Sequence, residues 1–446
     1  MQTSEARFLR GIFAGAAIII ILTVTAYGRA FGATESVLHS FVGFPGDGNE
    51  SRSGLVKDAS GNLYGTTLYG GNNHYHNSAG DGAVFMLAPN SSGGWTESII
   101  WDFGSGVDGW LPYAGLIVDS AGNLYGTTNR GGTSNSGTVF ELSPGSAGWT
   151  EKFLYSFGSV SGDGTGPRDR LTMDTASGNL YGTTGGGGSY GFGTVFKLSP
   201  IGTGGYSETI LYSFGSGADG ASPFGGVIRD SAGNLYGTTL QGGTSNVGTA
   251  FELLPPTMTG SPWTEKLLWT FGSGTDGELP YASLTMAMDG TGNLYGTTGL
   301  GGPYQTHYAF NNDNGGTVFK LSPPSLGGSL WTETILWNFG GATGSGKKKV
   351  TDGQVPEGSL LLDSSGDLIG TTEGGGTNGK GTSFKLAPPS GTVSAWTETI
   401  LWNFASGADG ATPACDLTKI DGTTNLYGTT YFGGTNNIGT VFKITQ

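Results

Sequence analysis

The chain has 446 residues, of which 87 are glycine, a share near 20% against about 7% in an average protein. Eighteen prolines with no three-residue period exclude collagen, 11% aromatic residues argue against low-complexity disorder, and a single cysteine, Cys415, excludes a disulfide scaffold or a multi-thiolate metal centre. A formal charge of −14 with only 12% charged residues leaves no basic footprint, so nucleic acid is not an expected partner.

Residues 1–32 read as a signal peptide. Arg7 and Arg10 precede an apolar run over 11–26 that contains Ile18, Ile19, Ile20 and Ile21, and Ala30 and Gly32 supply small residues for cleavage, with Ala26 and Gly28 as a second candidate. An uncleaved anchor is the alternative, because about 16 apolar residues fall just short of the roughly 20 that span a bilayer. Removing the leader leaves 17 basic and 33 acidic residues, a formal charge of −16. The expectation is an exported protein that is secreted, periplasmic or on the bacterial cell surface, with no membrane attachment beyond the leader.

Residues 33–446 are a tandem array. The marker Gly-Asn-Leu-Tyr-Gly-Thr-Thr starts at Gly61, Gly122, Gly178, Gly233 and Gly292, and degenerate copies start at Gly366 and Thr424. The seven markers are spaced by 61, 56, 55, 59, 74 and 58 residues. Within each unit of about 60 residues the same parts recur in fixed order, and each reads as a strand by its period and flanks. In the second unit, strand a is 115–119 and strand b is 123–128, joined by an Asp-Ser-Ala-Gly turn. Strand c is 138–143 and strand d is 150–157, and nothing carries the caps and 3.6-residue period of a core helix.

Four antiparallel strands repeated seven times predict an all-β fold, a seven-bladed β-propeller. The marker glycines Gly65, Gly126, Gly182, Gly237, Gly296, Gly370 and Gly428 fall mid-strand, where close approach of an adjacent blade is the expected reason for the missing side chain. The chain ends supply a separate argument for closure. Residues 35–41, Glu-Ser-Val-Leu-His-Ser-Phe, match strand d but precede the first unit, whereas the last unit stops after strand c at 439–445. Pairing the N-terminal strand with the last blade leaves no open sheet edge.

The text GNLYGTT, GGTSNSGTVFELSP and WTEKFLYSFGSGADG resembles the bacterial tandem repeat called GloVer, found in exported proteins described as choice-of-anchor proteins. The resemblance runs from about residue 35 to the end and implies export and tandem repetition, with no established activity to carry over. The unit is also similar to NHL and kelch blades, through the turn over 119–125 and through Gly131 and Gly132 followed by Trp149.

Repeated polar residues are expected to be structural. The Asp-Gly pairs at Asp47, Asp108, Asp163, Asp219, Asp276, Asp352 and Asp409 read as turn caps in which Asp bonds nearby amides and Gly takes a positive φ. The aspartates that end strand a, such as Asp58 and Asp119, precede tight turns and lack a calcium-loop pattern. The glycine cluster at 341–348 nearly spells a P-loop, but Lys348 stands where Ser or Thr is required and no helix follows.

Non-repeated loops are the candidate binding surface. The b-to-c loops hold 14, 8, 8, 8, 17, 8 and 8 residues, so blades one and five are decorated, and the connection over 340–362 is long and carries Lys347, Lys348 and Lys349. The insertions hold His74, Tyr75, His76, Tyr304, His307, Tyr308, Phe310 and Asp313, with Trp110, Tyr113 and Tyr281 in neighbouring loops. Blades one and five are three steps apart in a seven-blade ring, far for histidines to share an ion, so neither metal nor other cofactor is expected. The reading is a monomeric, non-catalytic propeller that binds a glycan or protein partner. The alternative is a propeller lyase, lactonase or glycan hydrolase working on the same loop face, and no Ser-centred elbow or Cys–His pairing points to nucleophilic catalysis.

Overall fold

The computed structural model describes residues 32–202, 204–215, 218–258, 260–303, 315–325, 330–343, 350–420 and 422–446. The leader read at 1–32 therefore falls almost wholly outside the described residues. So do Tyr304, His307, Tyr308, Phe310, Asp313 and Lys347 to Lys349. Among the described residues there is no helix.

The chain is a seven-bladed β-propeller, each blade a four-stranded antiparallel sheet ordered a-b-c-d. The ring closes as the terminal strands require: Thr34–Ser40 pairs antiparallel with Thr440–Thr445, with Thr34 opposite Thr445 and Ser40 opposite Thr440. In blade two the strands are Ile117–Val118, Leu124–Thr128, Thr138–Gly145 and Gly148–Ser156. Strand a is thus shorter than its apolar run suggests, because the residues before it are taken up by the turn that lines the axis.

The core is distributed over seven interfaces, one between each pair of neighbouring blades. At each seam the phenylalanine that ends strand d of one blade meets the phenylalanine of strand c in the next. The pairs Phe41–Phe85, Phe103–Phe140, Phe157–Phe196, Phe214–Phe251, Phe271–Phe319, Phe339–Phe384 and Phe404–Phe442 have centroids 4.9 to 5.3 Å apart at steep interplanar angles. All fourteen rings are buried, and such pairs add about 0.5–1.5 kcal/mol to their area burial.

Glycine serves this packing in two ways that differ from expectation. A Cβ on Gly126 would stand 2.5 Å from Phe140 Cζ and 2.8 Å from Leu116 Cδ2, so the group that crowds the marker glycine belongs to its own blade. The Asp-Gly glycines are absent from the positive-φ positions. Their Cβ would strike the last threonine of strand b instead, at 2.0 Å from Thr128 Oγ1 for Gly109. The aspartates do cap: Asp163 Oδ1 accepts from Gly164 N at 2.7 Å and Oδ2 from Ser159 N at 3.1 Å. The strand-a aspartates also behave as turn residues, Asp119 accepting from Ala121 N, Asn123 N, Asn123 Nδ2 and the Tyr125 hydroxyl.

A β-bulge interrupts every strand d, between Val37 and His39 in the closing strand and at the matching place in the other six. The extra residue bends the strand and re-aims the side chain that follows. That side chain is His39, Trp101, Tyr155, Tyr212, Trp269, Trp337 or Trp402, and in four blades it donates to the Asp of the next Asp-Gly: Tyr155 to Asp163, Tyr212 to Asp219, Trp269 to Asp276 and Trp337 to Asp352, at 3.1 to 3.2 Å. Facing these aspartates is a glutamate from strand d of the adjoining blade, and all seven glutamates have a buried Oε1 with no hydrogen-bond partner.

Candidate functional site

Each connection enters its blade through Asp-Gly-x-x-Pro-X. The Asp-Gly end pairs with the Gly-Gly loop, as Gly109–Trp110 does with Arg130–Gly131. The residue before the proline takes a left-handed turn: Leu111, Gly166, Ser222, Leu279, Val355 and Thr412 have φ of 53 to 64°. The proline then packs on a glycine of the preceding blade, since a Cβ on Gly82 would lie 2.5 Å from Pro112 Cδ. In blade one Ser51 stands in place of the proline and donates from Oγ to Thr66 O at 2.8 Å, and Glu50 keeps the left-handed turn at 58°. This geometry, repeated seven times, presents residue X to the propeller axis.

X is Arg52, Tyr113, Arg168, Phe224, Tyr281, Glu357 and Ala414 in blades one to seven. All seven line one cavity of about 170 Å³, together with Asp169, Ala282, Ser359 and Asp416 from the two positions that follow. Text that is otherwise repeated is therefore diversified where it faces the axis.

Two arginines sit in opposite settings. Because Ala414 is small, Arg52 reaches past blade seven to blade six: Nη1 is 3.0 Å from Glu357 Oε2, Nη2 is 4.0 Å from Glu373 Oε1, and the guanidinium lies 4.5 Å over the Tyr431 ring. Arg168 lies 4.3 Å over Phe224 and 5.3 Å over Tyr113, and among the described residues no carboxylate is within ion-pair distance of it. Its donors remain available while its flat face is held by aromatic rings.

Three of the carboxyl groups, Glu357, Glu373 and Asp169, hold protons unusually well. Burial, then the neighbouring Glu373, pushes Glu357 up to about 7 against the opposing pull of Arg52. Glu373 is raised by burial as well. Deeper in, burial and then Asp416 raise Asp169, whose Oδ2 accepts from Ser283 Oγ at 2.7 Å and Gly226 N at 2.5 Å. Asp416 Oδ1 accepts from Ser359 N at 2.7 Å. Burial followed by Glu357 and Glu373 also raises the Tyr281 hydroxyl.

The expected binding residues divide into two places. Tyr113 and Tyr281 line the axial cavity. His74, Tyr75, His76 and Trp110 belong to a separate cluster on the blade-one loop. There His76 stacks on Trp110 with centroids 5.1 Å apart, and its Nδ1 stands 3.3 Å from the buried Asp81. His74 packs on Phe44 at 4.9 Å, and Tyr75 is 76% exposed. Trp110 Nε1 donates to Asn135 Oδ1 at 3.1 Å. Sequence reasoning passed over Arg52, Arg168, Asp169, Phe224, Glu357, Glu373 and Asp416. The available signal was variation at one fixed register of the repeat.

The sequence profile of the Gloeobacter/Verrucomicrobia repeat matches residues 23–176, 73–310, 161–350 and 312–446, and so spans nearly the whole chain. The chain belongs to this repeat family. No curated protein matches the Gloeobacter/Verrucomicrobia repeat chain in sequence. Among solved structures it is similar to an ancestral GH74 enzyme, with 10% identity, 88% of this chain and 50% of that one covered, and a TM-score of 0.50. It is also similar to a Bacteroides uniformis protein described as a candidate 6-phosphogluconolactonase, with 13% identity, 85% and 91% covered and a TM-score of 0.49. A Dyadobacter fermentans protein of unknown function shares 10% identity over 93% and 98% of the chains, with a TM-score of 0.44. The likeness to the GH74 enzyme is one of fold.

Proposed function

We propose that this propeller is an exported binding protein that takes the terminal sugar unit of a glycan into its axial cavity. The observation that carries the reading is the ring of seven side chains of five kinds at a register where the rest of the unit repeats. Aromatic faces from Tyr113, Phe224 and Tyr281 suit the apolar side of a sugar ring, and the unpaired Arg168 and the carboxyl groups suit its hydroxyls or a uronate carboxylate. A cavity of about 150 Å³ admits a bare benzene ring, so about 170 Å³ takes no more than one sugar ring, with its substituents toward the mouth. The leader read from Arg7, Arg10 and the apolar run supports export to the periplasm, surface or medium.

A glycan array followed by calorimetry on the strongest hit tests the reading. Arg168→Ala and Tyr113→Ala should each weaken binding about tenfold or more, equivalent to about 1.4 kcal/mol. Binding that ignores both substitutions, or capture of peptides with no glycan bound, would refute it. The second reading, a glycan hydrolase, lyase or lactonase, is favoured by Glu357 and Asp169, two raised carboxyl groups beside the same cavity. Turnover of a bound glycan that disappears in Glu357→Gln while binding persists would establish it.

A further inference from the structure

Six of the seven blade seams carry Trp or Tyr at the residue after the strand-d bulge, and the closing seam alone carries histidine, His39. An indole or phenol at that place offers the facing aspartate a proton. A neutral imidazole can offer a metal ion a lone pair.

His39 Nε2 stands 3.0 Å from Asp47 Oδ2, and Glu97 reaches the same point from strand d of blade one. The ligand atoms of the three side chains lie within 4.8 Å of one another, and no other group of three such side chains is that close among the described residues. Glu97 Oε1 is buried and has no hydrogen-bond partner. The remaining contacts hold Asp47 and His39 in place, and Glu97 is the member of the set left without a partner. Asp47 accepts from Gly48 N at 2.6 Å and Val42 N at 2.7 Å, and the His39 ring stands edge-on to Phe41 with centroids 5.2 Å apart.

We propose that His39, Asp47 and Glu97 bind a divalent transition-metal ion, zinc being the best match, which ties the closing strand to blade one. One imidazole nitrogen and two carboxylates form a borderline-hard donor set, and metal bonds of about 2.0–2.2 Å hold tetrahedral ligand atoms about 3.3 Å apart. The His39–Asp47 separation of 3.0 Å is close to that spacing and the distances to Glu97 are at most 4.8 Å, so side-chain shifts complete three bonds, and water takes the fourth position. The His39 side chain is 23% exposed, which gives the ion a path in from solvent. The expectation of no metal rested on the loop histidines, whereas His39 lies within a strand.

The test uses the whole purified protein after dialysis against a chelator. Zinc titration by calorimetry at pH 7 should show one ion per chain with micromolar or tighter affinity, and zinc should raise Tm. Cobalt should give the visible bands of a four-coordinate ion. His39→Tyr installs the residue that Tyr155 and Tyr212 already supply at the seams after blades two and three, so the ring should close as before. That variant should bind zinc at least about 100-fold more weakly and lose the zinc-dependent rise in Tm, whereas His76→Ala should behave as the parent. A parent with no zinc heat and no Tm change would overturn the proposal. So would a His39→Tyr variant that folds and binds zinc like the parent, because the three groups would then form only a hydrogen-bonded seam.

Discussion

Raising the pH from 5 to 9 should loosen the ring at its other six seams. There Glu35, Glu151, Glu208, Glu265, Glu333 and Glu398 face Asp409, Asp108, Asp163, Asp219, Asp276 and Asp352. Burial, then the facing aspartate, pushes Glu35, Glu208 and Glu265 up to about 7, and Glu151 and Glu398 up to about 8. Burial and Asp276 push Glu333 up to about 9. A proton held between the two carboxyl groups accounts for the otherwise unpartnered Oε1 atoms. The folded chain therefore keeps protons that the unfolded chain releases near the ordinary value of 4.5. Stability is full below that pH and declines as the pH rises through the folded values, over a window of roughly 4.5 to 9. Full conversion at about 1.4 kcal/mol per pH unit would assign Glu333 about 6 kcal/mol. The side chains keep partial solvent access, so about 1 kcal/mol per seam, or about 6 kcal/mol over the six, is the discounted figure. Urea unfolding followed by tryptophan fluorescence at pH 5, 7 and 9 measures it. Glu333→Gln, which keeps a donor at every pH, should gain about 1 kcal/mol at pH 9 and change little at pH 5. Stability that is flat or rising from pH 5 to 9, or a Gln variant equally weakened at both, would refute the shared protons.

Phe384→Ala removes one ring of a buried pair and should cost about 3–5 kcal/mol in urea unfolding, whereas alanine at the exposed Met288 should cost almost nothing. Gly109→Ala should cost about 1–3 kcal/mol, because Thr128 Oγ1 is already bonded to Thr138 Oγ1 and Arg130 O and has nowhere to retreat. Cys415 is fully buried, accepts from Thr429 N at 3.2 Å and is pushed up to about 12 by burial. A thiol reagent at pH 8 should leave it unlabelled until the protein is unfolded, and rapid native labelling would contradict the structure.

The ring and its closure were legible because seven markers and two unmatched end strands leave one way to pair every edge. The reason for the glycines was not. Sequence shows a missing side chain, but only coordinates show whether Phe140, Thr128 or a neighbouring blade occupies the space. Strand a was overestimated because 115–116 is apolar like a strand yet lies in the approach from the axial turn. The candidate site was half legible. Tyr113 and Tyr281 stood out as aromatics, but Arg168, Phe224 and Glu357 looked like drift between copies. Loop length drew attention to the rim, where His76 and Trp110 lie. What sends X inward is the left-handed residue before the proline, and Leu111, Leu279 and Val355 are side chains from which no such turn is expected.

The pairing of Ser40 with Thr440 orders events in time. The partner of the first strand comes 400 positions later, so a nascent chain carries that strand unmatched until Thr440 to Thr445 have been made. Blades one to six can collapse on near neighbours as they emerge, whereas the latch must wait for Thr440–Thr445 and for the slow search that distant contacts impose. A chain cut short just before Thr440 would keep most of its seams and still be an open circle.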